Sequence, residues 1–240
     1  RHTRSFHVTG VQTCALPIYL GLEVPLEQLP AIQTRLTRAA RARGMPVIVA
    51  TQVLESMVTE PRPTRAEVTD AAHAVDERAD AVMLAGETAA GAYPVRAVET
   101  LDAIIREVEA VAVRREDVAP DAAARSRPGR PLCEAAVTLA DRSEAAAIVA
   151  MTRAGKTARM LSSLRPAARI LAATPSARVA AQLALTWGVV PLVTPAPSIA
   201  DVRGALHMAR LVTDGDIVVF VSMHPKLGPD GRNYIHVERV

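Results

Sequence analysis

Two side chains that can take part in acid–base or metal chemistry stand at the ends of predicted strands in the first half of the chain. Thr51 ends the β-branched run 47–51, which its composition predicts to be a buried parallel strand. Glu87 follows a second apolar run, residues 80–85, in a turn that begins with Gly86. A threonine hydroxyl donates to or accepts from a reacting oxygen, whereas a carboxylate in such a turn orders a loop or binds a cation through water. Because threonine ends many strands and an acid after glycine is a common helix cap, the residues alone leave catalysis and ordinary structure both open.

A second candidate site lies between a predicted strand at 146–151 and a predicted helix at 156–163, and its members are Thr152, Gly155, Lys156 and Thr157. The free amides and the dipole at the amino end of a helix favour a phosphate group, and hydroxyl and ammonium groups add to that preference. The glycine spacing is not that of a Walker loop. The motif alone therefore leaves two alternatives, a phosphate site and a capped helix with a surface lysine.

The elements that position the first site alternate between helix and strand. Apolar residues recur with helical spacing from Leu26 to Ala40, and this helix is predicted to end near Gly44. Thr64 and Glu67 have the spacing of a capping box, which predicts a helix that runs to about Glu77. The last helix of this half is predicted from residue 94 to about 113. Strands at 47–51 and 80–85 between these helices predict part of a parallel α/β structure.

The second half of the chain also alternates between predicted helices and strands. Residues 114–130 are poor in apolar side chains and are predicted to form a linker. The pattern then predicts a small doubly wound sheet with a last strand, residues 233–240, at one edge. The remaining predicted strands are 146–151, 169–173, 189–193 and 216–222, and the predicted helices are 131–142, 156–163, 176–186 and 198–210.

Composition excludes several classes of protein. Half of the 240 residues are hydrophobic, and no apolar run approaches the roughly 18 to 20 residues of a membrane-spanning helix. The net charge is only +3, and basic residues are interspersed with acidic ones without an aromatic-lined basic face, so nucleic-acid binding is not expected. The two cysteines, Cys14 and Cys133, do not make a disulfide framework, which suits a reducing cytoplasm.

Residues 1–19 differ from the rest of the chain. They have neither helical nor strand periodicity, and the string from Phe6 to Ile18 resembles a translated sequencing-adapter scar. A secretory signal is the alternative, but its apolar centre is too short and is broken by Pro17. We therefore expect this leader to be non-native or disordered and to play no part in the fold.

Several long motifs in a fixed order carry a resemblance to a known family. They are Gly21-Leu22-Glu23-Val24-Pro25, Ala50-Thr51-Gln52, Leu54-Glu55-Ser56-Met57, residues 61–67 and Met83-Leu84-Ala85-Gly86-Glu87-Thr88. With these motifs, residues 20–113 resemble the C-terminal part of the β/α barrel of pyruvate kinase, and residues 131–240 resemble the α/β effector domain of the same family. The resemblance implies a partial (β/α)8 barrel, with the last strands and helices only, followed by a small doubly wound α/β domain.

The resemblance also implies a reaction, in which phosphoenolpyruvate transfers its phosphoryl group to ADP to give pyruvate and ATP, with Mg²⁺ and K⁺. It assigns catalysis and substrate contact to Thr51, and substrate binding to Glu87 and to Arg65, for which an ordinary surface arginine is the alternative. It assigns effector binding, of a sugar phosphate or AMP, to Thr152, Gly155, Lys156 and Thr157. It further implies a homotetramer of the full-length protein in the cytoplasm.

The chain departs from the family pattern in places that carry chemistry. Residues Leu16 to Tyr19 stand where the family has Ala-Arg-Gly-Asp, and a phenol cannot replace a carboxylate on Mg²⁺. We therefore assign no metal ligand in this chain and expect a fragment without measurable turnover of its own. The alternatives are a non-catalytic module that binds phosphorylated metabolites and a purely structural interaction protein.

Overall fold

The computed structural model describes residues 14–15, 25–42, 45–50, 53–112, 129–195, 198–223 and 233–240. The chain divides into two compact units, Arg1–Asp121 and Ala122–Val240. Each unit has parallel strands, so the predicted α/β class is confirmed. None of the described helices has the length and apolar character that a bilayer span requires.

The first unit contains a three-stranded parallel sheet in the order β1-β2-β3. The three described strands do not close a barrel, as expected for part of one. Its strands are β1 (Cys14–Ala15), β2 (Val47–Ala50) and β3 (Ala81–Met83). Its helices are α1 (Leu29–Ala42), α2 (Arg65–Asp76), α3 (Gly86–Ala89) and α4 (Pro94–Ala112), with 3₁₀ turns at Leu26–Gln28 and Glu55–Val58.

Helix α2 begins at the predicted capping box. The Thr64 hydroxyl accepts from the Glu67 N–H at 3.3 Å, and the Glu67 carboxylate accepts from the Thr64 N–H at 2.7 Å, so two amide groups without a helical partner are satisfied. The helix then packs Ala71 against Ala97 and Leu101 of α4 in one apolar cluster. The start of α2 is thereby fixed locally by the cap and its direction by this cluster.

Cys14 and Ala15 differ from the expectation for residues 1–19. They form the two-residue strand β1, which pairs in parallel with β2 through Cys14 opposite Val47 and Ala15 opposite Ile48. Beyond β1, the other residues of the predicted leader lie outside the described residues. The edge of β2 presents backbone N–H and C=O groups, and an extended dipeptide satisfies them through its backbone whatever its side-chain polarity, so apolar periodicity does not predict this pairing.

The second unit contains a five-stranded sheet in the order β6-β5-β4-β7-β8, in which only β8 is antiparallel to its neighbour. Its strands are β4 (Ala147–Met151), β5 (Arg169–Thr174), β6 (Val189–Val193), β7 (Ile217–Ser222) and β8 (Tyr234–Arg239). Its helices are α5 (Arg130–Arg142), α6 (Lys156–Ser163), α7 (Ala177–Leu183) and α8 (Ile199–Met208). The last strand lies at an edge, as predicted, and the predicted linker lies outside the described residues except for its last two.

Alternate residues of β4 separate two cores. Ile148 and Ala150 pack with buried residues of α5, α6 and α7, whereas Val149 and Met151 pack with buried residues of α8. Successive side chains of a strand point to opposite faces, so this division places helices on both faces of the sheet. The predicted doubly wound architecture is therefore observed. Strand order reverses at β4, and in such sheets ligands bind outside the carboxyl ends of the strands at this point.

Candidate functional site

The first predicted site lies at the carboxyl edge of the first unit's sheet. Strand β2 ends at Ala50, which is opposite Met83 at the end of β3, so both strands finish at the same edge. Thr51 follows Ala50 in the sequence, but Thr51 and Gln52 lie outside the described residues. The site can therefore be built from the segments that flank Thr51.

Glu87 connects the segments that follow β2 and β3. Its side chain is buried, with a relative exposure of 1%. Oε1 accepts from the Leu54 N–H at 3.0 Å, and Oε2 accepts from the Ala85 N–H at 2.7 Å. Of the two roles that the sequence allowed for this carboxylate, the structure shows the ordering of a loop. Contact between Glu87 and a substrate stays a prediction.

Glu67 holds the same segment from the other side. Its carboxylate accepts from the Ser56 N–H at 2.7 Å and the Ser56 hydroxyl at 2.6 Å, in addition to both donors of Thr64. Burial alone would raise the pKa of Glu67, but the hydrogen bonds from Ser56 and Thr64 outweigh it and hold the pKa below its ordinary value. The carboxylate therefore stays ionised and acts only as an acceptor near neutral pH.

Residues 53–58 are thus held by two carboxylates, which come from α2 and α3. Leu54 and Met57 of this segment are fully buried in the apolar cluster with Ala71. A third contact joins its end to the sequence after α3, because the Ala92 N–H donates to the Val58 carbonyl at 2.8 Å. The segment that follows the end of β2 is therefore held by hydrogen bonds to its backbone at three points, at Leu54, Ser56 and Val58.

Arg65 is the first residue of α2, and its side chain is exposed. No ion pair joins it to another residue in the part of the chain that the structure describes. An arginine in this state is available to an anionic ligand, but it is also an ordinary surface residue. Substrate binding by Arg65 stays a prediction.

The described residues do not form a metal site. No group of three or more His, Cys, Asp or Glu side chains among them is arranged to hold a metal ion. At the carboxyl edge of the first sheet, Glu87 is buried and both of its oxygens accept backbone N–H groups. Such a carboxylate does not offer the open oxygen ligands that Mg²⁺ takes together with water. The described residues therefore do not fit the ion that the resemblance implies.

The four residues of the second predicted site lie in one turn between β4 and α6, at the carboxyl end of β4. The Thr152 N–H donates to the Ala173 carbonyl of β5 at 2.9 Å, which fixes the start of the turn. Gly155 precedes α6 with φ +78°, a conformation that favours glycine. Thr152 and Thr157 are buried, with relative exposures of 8% and 2%, whereas Lys156 is exposed. Lys156 is therefore the side chain of this set that is open to a ligand from solvent.

Arg159 lies in α6 and contacts this turn, but it was not among the residues predicted from sequence. Its Nη1 donates to the Ala154 carbonyl at 3.0 Å, and burial lowers the pKa of its guanidinium from the ordinary value. Ser56 was likewise not predicted as a partner of Glu67. In both cases the signal is weak, because an arginine or a serine near a helix start is common and the contact depends on the folded chain.

Two family models match the chain. The model described as "Pyruvate kinase, barrel domain" matches residues 18–98, and the model described as "Pyruvate kinase, alpha/beta domain" matches residues 130–238. The first therefore contains the site around Thr51, and the second contains the turn from Thr152 to Thr157.

Curated relatives agree with both matches. "Pyruvate kinase 2" of Synechocystis sp. is 43% identical over 210 residues, which are 85% of this chain and 35% of the relative. "Pyruvate kinase" of Methylorubrum extorquens is 41% identical over 230 residues, which are 91% of this chain and 47% of the relative. "Pyruvate kinase" of Mycobacterium tuberculosis is 40% identical over 228 residues, with 92% of this chain and 47% of the relative covered. The chain therefore spans less than half of the length of these relatives.

Proposed function

The chain belongs to the pyruvate kinase family, and from this we propose that the whole protein transfers a phosphoryl group from phosphoenolpyruvate to ADP. In this reaction the bond between phosphorus and the enol oxygen breaks, and a bond forms between phosphorus and a terminal oxygen of ADP. The enolate that remains takes up one proton at its methylene carbon and becomes pyruvate, while ADP becomes ATP.

The observation that supports this proposal is the hydrogen-bonded segment 53–58, which follows Thr51 closely in the sequence. Glu87 and Glu67 hold Leu54 and Ser56 by their backbone N–H groups, within a few residues of Thr51. We assign to the Thr51 hydroxyl contact with the substrate and help in delivering the proton to the enolate. We assign Arg65 to contact with the anionic substrate. Glu87 orders the segments that follow β2 and β3, and its contact with the substrate is part of the same proposal.

Mg²⁺ and K⁺ belong to the same proposal, since metal ions in phosphoryl transfer neutralise the charge on the transferred group. No step is assigned to them through residues of this chain, because the described residues do not fit a metal centre.

A chimera tests the assignment of Thr51. Residues 20–240 of this chain replace the matching part of the Methylorubrum extorquens relative, to which the chain is 41% identical. We expect the chimera to form ATP from phosphoenolpyruvate and ADP, and we expect Thr51→Ala to lower kcat by about a hundredfold, as for the loss of a proton-transfer group. Thr51→Ser keeps the hydroxyl and should retain most of the rate. A chimera that unfolds cooperatively but has no turnover, or a Thr51→Ala variant with full kcat, would contradict the assignment.

We also propose that the 240-residue chain has no turnover by itself. The measurement is an assay coupled to lactate dehydrogenase, with phosphoenolpyruvate, ADP, Mg²⁺ and K⁺ present. Turnover that depends on the metal and disappears in Thr51→Ala would show the chain to be active.

A second candidate function is the binding of a phosphorylated metabolite by the second unit, and the turn from Thr152 to Thr157 favours it. The turn stands at the amino end of α6 and at the strand that marks the reversal of strand order, with the open Lys156 beside it. We expect a sugar phosphate or AMP to raise the melting temperature of the chain, because a ligand that binds only the folded state stabilises it. Fructose 1,6-bisphosphate, ribose 5-phosphate and AMP are titrated in turn, and Lys156→Met should weaken the response. If none of the three shifts the transition, this candidate function fails.

We further propose that the whole protein is a homotetramer and lies in the cytoplasm, as the resemblance to the family implies. Analytical ultracentrifugation of the chimera tests the first, and fractionation of cells that express the whole protein tests the second.

A further inference from the structure

The start of helix α2 is joined to the segment after β2 by a single side chain, that of Glu67. Its Oε1 accepts from the Ser56 N–H at 2.7 Å, and its Oε2 accepts from the Ser56 hydroxyl at 2.6 Å. Oε2 also accepts from the N–H of Thr64, the residue that caps the helix, at 2.7 Å. One carboxylate therefore holds two backbone segments that are separated by residues 57–63 in the sequence.

Residues 57–63 form a loop whose two ends meet at Glu67. Met57 at its beginning is buried in the apolar cluster of the first unit, whereas Thr59 and Glu60 are exposed. The exposed part of the loop gives the first turn of α2 no apolar contact, and the helix enters the cluster only at its seventh residue. The position of this first turn relative to the end of β2 therefore depends on Glu67.

Arg65 is the first residue of this turn, between the cap and Glu67. The Thr69 hydroxyl donates to the Arg65 carbonyl at 2.9 Å, so the backbone of Arg65 is held from the next turn of the helix as well. The side chain is exposed. A fixed backbone with an exposed guanidinium presents the positive charge from a defined point.

The segment after β2 has other hydrogen bonds that do not involve Glu67. The Leu54 N–H donates to the Glu87 carboxylate, and the Val58 carbonyl accepts from the Ala92 N–H. Loss of the Glu67 carboxylate therefore leaves this segment held at two points, while the first turn of α2 loses its link to it. Arg65 is then displaced relative to the strand end, and the strand end keeps its place.

We propose that Glu67 is a positioning residue for substrate binding, which holds Arg65 in a fixed place relative to the end of β2. An anionic substrate then meets a positive charge that is already ordered, and ordering such a side chain on binding would otherwise weaken affinity. The inference rests on the proposed function and on its assignment of Arg65 to the substrate. It goes beyond that assignment, because it gives a share of substrate affinity to a residue that does not touch the substrate.

The first test is steady-state kinetics of the chimera described above. Glu67→Gln replaces one acceptor oxygen by an NH2 group, so one of the two segments loses its acceptor. We expect the KM for phosphoenolpyruvate to rise about tenfold, as for the weakening of one charge-assisted contact, with little change in kcat. Ser56→Ala removes one of the two Ser56 donors and should give a smaller rise, whereas Ser56→Thr keeps the hydroxyl and should retain the KM.

A double-mutant cycle separates positioning from general stability. If Glu67 acts through Arg65, Glu67→Gln should raise the KM in the unmodified chimera but not in the Arg65→Met variant, which has already lost the contact. A role of Glu67 in overall stability alone would change the KM by the same factor in both backgrounds.

Asp80→Asn is the matched control. The Asp80 carboxylate also accepts from a backbone N–H, that of Val47 at 2.9 Å, but Val47 is the first residue of β2 and lies at the opposite edge of the same sheet. We expect Asp80→Asn to lower the melting temperature without a change in KM. A melting curve for every variant shows that it is folded under the assay conditions.

Hydrogen–deuterium exchange of the 240-residue chain gives a readout that does not depend on activity. Glu67→Gln should speed the exchange of the amides at Ser56 and Thr64 and leave that at Leu54 unchanged. If the chimera is active and Glu67→Gln leaves its KM unchanged, or if the effects of Glu67→Gln and Arg65→Met are additive, the role of Glu67 is refuted and the proposed function stands. If the chimera folds but has no turnover, the proposed function fails, and the role of Glu67 in substrate binding fails with it.

Discussion

The carboxylates of Glu67 and Glu87 both accept hydrogen bonds from backbone N–H groups. Only the contact between Glu67 and Thr64 can be predicted from the sequence. Thr64 and Glu67 are three positions apart, and this local spacing correctly predicts the start of α2. The bond between Glu67 and Ser56 crosses a loop, and the bond between Glu87 and Leu54 crosses an entire helix and strand. Such contacts depend on tertiary packing, so no pattern of spacing predicts them.

Replacement of Glu87 by glutamine tests the loop-ordering role. Glutamine keeps one acceptor oxygen but places an NH2 group where the second oxygen accepts a backbone N–H, so one buried N–H loses its partner. We expect the free energy of unfolding to fall by about 1–3 kcal/mol, the usual cost of an unsatisfied buried polar group. Urea denaturation is the measurement, and Glu99→Gln, at an exposed position of α4, is the control. Equal stability of the two variants would contradict the role.

The depressed pKa of Glu67 predicts how stability depends on pH. A carboxylate whose pKa is lower in the folded state stabilises the fold above its ordinary value of 4.5, and the contribution is lost as the pH falls through the lower folded-state value. Glu67→Gln cannot ionise and lacks this dependence. The difference in unfolding free energy between the chain and Glu67→Gln should therefore be largest near pH 7 and shrink toward pH 3. A difference that stays constant over this range would show that the charge of Glu67 does not matter.

Helices and strands are predicted correctly from the sequence where the apolar periodicity is strong. They are not predicted where a single tertiary contact decides the local conformation. The fully buried β4 and the capped α2 were predicted nearly to their observed bounds, because burial and capping act locally. Residues 86–88 were predicted as a turn but begin the short helix α3. This helix is held by the Glu87 carboxylate and by the close approach of Gly91, which the local sequence does not reveal.

Gly91 is predicted to be irreplaceable at the end of α3. A Cβ atom there would lie 2.5 Å from the Glu87 carbonyl oxygen, so the backbone would have to move. We expect Gly91→Ala to lower the unfolding free energy by about 1–3 kcal/mol, as for an overpacked site. Gly204→Ala in α8 is the control, because a Cβ atom there would meet nothing within 4 Å and alanine is the better helix former. The prediction fails if urea denaturation shows that the unfolding free energy changes in the same direction in both variants.

At the scale of the whole molecule, the sequence predicted two α/β regions from the break in apolar pattern, and the chain divides into two compact units. The resemblance to a family placed the first region in a barrel, which periodicity alone does not predict, and the three strands among the described residues do not close one. The sequence does not predict whether the two regions unfold together. Cooperative unfolding depends on which residues share an apolar core, and the order of helices and strands does not reveal this.

The apolar cores predict that the two units unfold separately. The clusters around Leu54 and around Val47 contain only residues of Arg1–Asp121, and the two clusters on the faces of β4 contain only residues of Ala122–Val240. A unit with its own core can unfold as one cooperative step, so differential scanning calorimetry should resolve two transitions. Gly91→Ala should lower one of them, and ribose 5-phosphate should raise the other, because each acts on the folded state of a single unit. A single transition that Gly91→Ala and ribose 5-phosphate both shift by the same amount would show that the units fold as one. The melting temperature would then report on the whole chain, and ligand binding by the second unit would have to be followed by hydrogen–deuterium exchange.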